Sequence, residues 1–451
     1  MAELHRQSAV DIANAVRAGR VQAVEICASA LAHIERIGSP DSGFIKIFRE
    51  RALLRAEAVD KIVQAGLDPG RLAGVPFGVA DHFDVALQPT TAGSRLSAEG
   101  PFAHRDAKAI MLLEAAGAVL VGRQNMDEFT YGFVTVNAHY GTTPNPHDKD
   151  RLAGGACGGS AVAVANETVP ISLASDINGS IRIPAALCGV IGLAPTYGDF
   201  PNEGTQSLVE SLDVVGPVAR QIDDVVLVRD VLRDGAPERS AVPRGPLRFG
   251  RLKGWFDQNV EDPMRAAMKP VWEEFGRVSL DLKHVDLARA AASLIIAAEG
   301  ANLHRASLVH DPGIYGATTR DRLLAGLLMP ADDYLQAIRF QTWIRTRAQQ
   351  LFEHCDVFIT PAAPGFAPLI EDPFIEFDGV RTPARSHLGI YTQPISLMGL
   401  PSIVLPLAHS GPLPLGVQLI AAPGGEQTLF EAASLLFKNG IASVPGVPES
   451  Q

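Results

Sequence analysis

The stretch Ala174–Gly189, ASDINGSIRIPAALCG, follows a second small-residue stretch, Leu152–Ser160, LAGGACGGS, and these two decide how the chain is read. In each, glycines crowd a turn and a run with helical character follows. Ahead of the later turn lies ETVPISLA, a short apolar run that predicts a strand. Strand, tight turn and helix together expose backbone N–H groups and add the positive potential of a helix N-terminus. Ser180 stands in the second turn, between Gly179 and Ile181. A hydroxyl beside such N–H groups suits acyl transfer, where one oxyanion donor contributes roughly 3–4 kcal/mol. A phosphate cradle would need the Lys-Ser/Thr ending of a P-loop, and neither turn carries it. On spacing alone the turns also read as packing features.

Working outward, helix and strand alternate toward both ends. Ser8 and Asp11 form a capping pattern ahead of a first helix, and Val24, Cys27, Leu31 and Ile34 give a second one an apolar face. Ala73–Val85 reads as a buried strand opening into a loop, and Asp106–Gly122 as a helix followed by a strand. From about Asp223 to Arg347 several amphipathic helices are predicted, among them PADDYLQAIRFQTWIRTRAQQLF. CDVFITPAAP, PSIVLPLA and LPLGVQLIAAP read as core strands, and EQTLFEAASLLF as a closing helix. The expected organisation is one domain over 1–451: N-terminal helices in 1–62, a core in 63–222, a helical insertion in 223–350, and core strands with a helix in 351–451.

Of the 451 residues 47% are hydrophobic and 20% charged, enough apolar material for a large core. A net charge of −11 with scattered basic residues argues against nucleic acid or an anionic membrane as partner. Glu114 interrupts the most apolar stretch, so no membrane span is expected. The first residues lack a signal-peptide pattern, and a cytoplasmic setting is expected. Cys27, Cys157, Cys188 and Cys355 are widely spaced without a CxxC pair. They read as reduced thiols, and neither a metal nor a cofactor is expected.

From about Leu72 to Tyr197, and again from Thr360 to the last helix, the chain resembles the amidase signature family. GGACGGSAVAVA, SDINGSIRIPAALCGVIGLAPTYG, NMDEFTYGF, NAHYGTTPNPHD and TQPISLMGLPSIVLPLA carry the resemblance in order and spacing. DINGSIRIP, SLDVVGPVAR and TRDRLLAGLLMPADDYLQAIRF are similar to the branch of 1-carboxybiuret hydrolase and other small-amide hydrolases. The glutamyl-tRNA amidotransferase is a more distant likeness, through the component of it that carries the amidase signature. The resemblance implies an α/β fold, an α/β/α sandwich whose mixed central sheet is flanked by helices. It implies Ser180 as nucleophile, and Ile177, Asn178, Gly179, Gly155, Tyr131 and Gln393 as the oxyanion and ligand-binding set. The family activates its serine through a second serine on a cis peptide and a neutral lysine. Those two positions fall on Ala156 and Ala80, so ordinary amide hydrolysis is not expected.

Two neighbours are candidates to stand in. Cys157 is intrinsically nucleophilic, and a helix N-terminus favours its thiolate. His82 lies two residues after Ala80, on the same face of an extended segment, and would supply a base near neutral pH. A small packed residue and a backbone-bonded loop histidine are the structural alternatives. Asp81 reads as structural, and Asp176 with Arg182 as a loop-fixing pair. Ala80, Pro144, Ala194 and Asp199 stand where the family often carries basic residues, which predicts a pocket that favours anions less. Two functions follow. One is a diverged protein acting on a small amide, ureide or acyl compound through a non-standard centre of Ser180, Cys157 and His82. The other is an inactive homologue serving as a binding or scaffold subunit. The expected partners are a small-molecule ligand or substrate and a second copy or small helical subunit, with no nucleic acid and no membrane.

Overall fold

In the computed structural model, which describes residues 4–236, 245–409 and 411–448, eleven strands form one mixed sheet. They are β1 (Phe44–Ile47), β2 (Pro76–Ala80), β3 (Val119–Gln124), β4 (Ile171–Asp176), β5 (Ile191–Ala194), β6 (Val214–Ala219), β7 (Phe249–Leu252), β8 (Val278–Leu280), β9 (Val357–Pro361), β10 (Ser402–Pro406) and β11 (Gly416–Ala421). Across the sheet the order is β1-β3-β2-β4-β6-β5-β10-β11-β9-β7-β8. β2 runs parallel to β3 and β4, and β7 parallel to β8 and β9. The pairs from β4 across to β9 are antiparallel.

Every residue of β2 through β6 and of β9 through β11 is buried. Such strands need cover on both faces, which is why they read as apolar runs rather than as alternating patterns. Helices provide that cover: α1 (Ala9–Arg17), α2 (Ala23–Ile37), α3 (Arg49–Gln64), α4 (Lys108–Ala115), α5 (Gly158–Ala165), α6 (Arg182–Cys188) and α7 (Ile222–Leu232) in the first half of the chain. In the second half they are α8 (Asp262–Phe275), α9 (Val285–His310), α10 (Ala317–Leu327), α11 (Ala331–Leu351), α12 (Ala384–His387), α13 (Gln393–Met398) and α14 (Glu426–Lys438). Ser8 caps α1, its hydroxyl accepting the Asp11 N–H at 3.0 Å, and Gln22 with Glu25 forms a reciprocal box at the start of α2.

The segment 223–350 is mostly helical but not only so, because it also adds β7 and β8 to one edge of the sheet. These strands have four and three residues, too few to show a period. No described helix is long and apolar enough to cross a membrane. β2 and β4 are parallel, so their C-terminal ends emerge on one side of the sheet. The turn before α6 and the loop before α5 meet there, where the Cys157 N–H donates to the Ser180 carbonyl at 3.2 Å.

Candidate functional site

β4 ends on Asp176, and that carboxylate organises the turn after it. It accepts the N–H groups of Gly179 at 2.5 Å, Ile181 at 3.1 Å and Arg182 at 3.3 Å, and the Arg182 guanidinium at 3.0 and 2.9 Å. Burial opposes the charge, but Arg182 and these donors hold the carboxyl below its usual range. Arg182 reaches on to Ser396, and to Ser402 at 3.2 Å and Gln418 at 2.8 Å, so the pair fixes the turn as the sequence predicts. Gly179 has a φ of +126°, and a Cβ there would stand 2.2 Å from Thr392 Oγ1. Only glycine fits. With its N–H committed to Asp176, Gly179 shapes the turn but has no N–H left to offer a ligand. The N–H groups of Ile177, Asn178 and Ser180 bond to no loop or side-chain acceptor among the described residues, and geometry of this kind is able to donate to an anionic oxygen.

The loop before α5 faces this turn. Its Gly155–Ala156 peptide is cis, and the Ala156 carbonyl accepts the Asp127 N–H at 2.8 Å and Thr135 Oγ1 at 3.2 Å. Asp127 in turn accepts the N–H groups of Val134 and Thr135, at 2.9 and 3.0 Å, and pairs with Arg385 at 3.2 Å. A Cβ on Gly155 would stand 2.6 Å from Asp127 Oδ2, so Gly155 is packed inside the loop and does not line the pocket.

Ser180 is 1% exposed and its Oγ makes no hydrogen bond among the described residues. Ala80 and Ala156 are fully buried and offer nothing ionisable. None of the chain's eight lysines is buried, so none stands beside Ser180. Next to Ala80 in the sheet, Gln124 closes a neutral network: its Nε2 donates to Ser172 Oγ at 2.8 Å and its Oε1 accepts Ser160 Oγ at 2.8 Å.

His82 and Cys157 are not drawn to Ser180 by any hydrogen bond. The His82 ring is fully buried against Phe83, with centroids 4.6 Å apart, and neither nitrogen has a hydrogen-bond partner among the described residues. Burial, helped by Arg123, lowers its pKa to about 3, which makes it a weak base at neutral pH. Cys157 Sγ turns toward the Ser175 carbonyl at 3.6 Å, and burial raises its pKa. Desolvation outweighs the helix N-terminus here. Asp81 is held by Thr91 and by the Gly93 N–H at 2.8 Å, and faces Arg123 at 3.8 Å, a structural role.

Tyr131, Ile177, Asn178 and Gln393 do line a pocket with Ser180. Ser293 of α9 and Arg322 of α10 line it too, and sequence reasoning missed both. The Arg322 guanidinium lies 3.6 Å over the Tyr131 ring, donates to the Tyr131 carbonyl at 2.9 Å and makes no ion pair among the described residues. Arg289 of α9 donates to Gln393 Oε1 at 3.0 Å and so orients that amide. Burial lowers the pKa of both arginines, from a value high enough that both stay charged. Arg322 therefore brings a positive charge to the pocket, against the sequence-based expectation. Asp199 is instead paired with Arg233 at 3.0 Å, Ala194 lines a separate cavity with Asp176 and Arg182, and Pro144 pairs with Leu152 in a short ladder. None of these three faces Ser180.

The Amidase family profile matches residues 25–430. The chain is similar to AtzE, the 1-carboxybiuret hydrolase component of Pseudomonas sp. (strain ADP), at 40% identity over 96% of this chain and 98% of that protein. It is also similar to a glutamyl-tRNA(Gln) amidotransferase component from Carboxydothermus hydrogenoformans, at 31% identity over 97% and 98% of the two chains. Both of these relatives are named as parts of multi-subunit proteins. A solved structure, described as a vestigial protein complex that reveals the evolutionary origins of an s-triazine catabolic enzyme, matches with a TM-score of 0.91 at 39% identity, covering 97% of this chain and 100% of that one. A crystal structure of an amidase matches with a TM-score of 0.89 at 27% identity, covering 96% and 100%.

Proposed function

The chain belongs to the amidase family, and from that premise we propose that it binds a small amide or ureide carrying a carboxylate in the Ser180 pocket, without serine–lysine hydrolysis. The observation that carries this reading is Arg322, a pocket-lining cation that makes no direct ion pair among the described residues, Asp127 acting on it only at longer range, beside an intact set of oxyanion donors. An unpaired charge in a desolvated pocket favours an anionic occupant. The N–H groups of Ile177, Asn178 and Ser180 suit a carbonyl oxygen, Gln393 an amide edge, and Arg322 a carboxylate. The cavity is about 30 Å³, close to one water, so a ligand enters as Arg322 swings off the Tyr131 ring. That exchanges a cation–π contact of about 1 kcal/mol for charge-assisted hydrogen bonds of about 1.5–3 kcal/mol.

An alanine at both Ala80 and Ala156, a Ser180 hydroxyl without a hydrogen bond among the described residues, a His82 packed against Phe83 and a Cys157 thiol bonded to the Ser175 carbonyl favour binding over a rearranged catalytic centre. Because the two relatives work as parts of larger proteins, the same reading extends to this chain a protein partner in whose complex the pocket is used. Calorimetric titration with malonamate and malonamide, a near-isosteric pair that differs by one carboxylate, tests the proposal. Malonamate should bind at least about ten-fold tighter, Arg322→Ala should weaken malonamate alone, and ammonia release should stay at the buffer background. Equal affinities, or ammonia release that depends on Ser180, would overturn it.

A further inference from the structure

Resting on that carboxylate reading, we infer that Glu128 is a positioning residue whose buried carboxylate clamps the start of α10 and so holds Arg322 over the pocket. Glu128 is 4% exposed and opens the short turn Glu128–Thr130. Three donors converge on it: Ser94 Oγ at 2.7 Å, His139 Nε2 at 2.9 Å and the Gly316 N–H at 3.0 Å. Gly316 immediately precedes α10, and no side chain of that helix caps it. A carboxylate there satisfies an orphan N–H and complements the positive end of the helix.

The same loop meets α10 again. Tyr131, three residues after Glu128, supplies the ring and carbonyl that hold Arg322. Between the two contacts, Phe129 packs tilted against His304 of α9 with ring centroids 4.2 Å apart, and His304 Nδ1 bonds Tyr315 OH at 3.2 Å, one residue before Gly316. The loop itself is tied to the core by Asn137, whose Nδ2 donates to the Gly93 and Met126 carbonyls at 2.7 and 2.8 Å. Arg322 lies six residue steps beyond Gly316, about 9 Å along the rod of α10, so displacing one end displaces the other. Glu128 does not line the pocket. Its effect passes through Arg322 and is felt as charge discrimination.

Glu128→Ala and Glu128→Gln in the full chain test this. In Glu128→Ala the malonamate-to-malonamide affinity ratio should fall at least about five-fold, with malonamide affinity within about two-fold of wild type. Glu128→Gln keeps an acceptor for the Gly316 N–H and should retain most of the ratio. A merely structural role would weaken both ligands together and leave the ratio intact, which would overturn the inference. Hydrogen exchange across Ala317–Leu327 supplies a readout free of ligand: faster exchange confined to α10 in Glu128→Ala is expected. Unchanged exchange overturns the clamp even where wild type discriminates by charge. Faster exchange in a protein whose wild type shows no charge discrimination sinks the carboxylate reading and leaves Glu128 a helix cap only, which overturns the positioning role.

Discussion

Replacing His82 by phenylalanine separates a buried neutral ring from a working base. The substitution keeps an aromatic group against Phe83 and removes the titration. In the native chain His82 has a pKa of about 3, against 6.5 when unfolded, so the unfolded state takes up the extra proton between those values. A histidine depressed in this way costs nothing above pH 6.5, and stability falls as the pH drops from 6.5 toward 3. At pH 5 the unfolded imidazole is about 1.5 units below its pKa, which costs the native state about 2 kcal/mol relative to pH 8. Urea unfolding followed by tryptophan fluorescence at both pH values reads this directly. Wild type should lose about 2 kcal/mol more than His82→Phe between pH 8 and pH 5. His5 and His304, both lowered to about 4 by burial, add acid sensitivity to both proteins and cancel in the difference. A difference that does not change with pH would refute the buried neutral imidazole and return His82 to consideration as a base.

Asp176→Asn should destabilise the protein by about 3–5 kcal/mol in the same urea assay, because it leaves the Arg182 guanidinium buried without its charge partner. A loss under about 1 kcal/mol would mean that the turn does not depend on the pair. A thiol reagent should label fewer than one cysteine per native chain and all four after unfolding, since every thiol is buried. Rapid labelling of one site, abolished by Cys157→Ser, would contradict the inert Cys157 described above. Gly179→Ala should lower stability by at least about 2 kcal/mol, from a strained φ and contact with Thr392; a neutral thermal-shift result would place that backbone elsewhere.

The strands that could be read in advance are the fully buried ones, where PFGVA, ISLASD and SIVLP run apolar between glycine or proline punctuation. α3 could not be read so: in RERALLRAEAVDKIVQ only Ala52, Ala56, Val59 and Asp60 are buried, which leaves little apolar periodicity. β7 and β8 escape for a different reason, being short and on the partly exposed edge of the sheet. The turn around Ser180 was visible because its determinants, Asp176, Gly179 and Arg182, lie within seven consecutive residues. Arg322 was invisible as a site residue because it arrives from another element, and its charge matters only through the face of α10 that meets Tyr131. Cys157 shows the limit of a local rule. Position at a helix start argues for a reactive thiolate, and the surrounding burial, which no neighbouring letter encodes, reverses it.

Arg182 fastens the turn after β4 to α13, β10 and β11 through Ser396, Ser402 and Gln418. β10 and β11 belong to the far half of the sheet, so the turn that presents Ser180 is also a staple between the two halves of that sheet. Substitutions in SDINGSIR are therefore filtered by folding whether or not any bond is cleaved there. Ala80 and Ala156 are as deeply buried but tie no two elements together through side-chain hydrogen bonds. The presence of this serine turn therefore testifies to architecture before it testifies to chemistry.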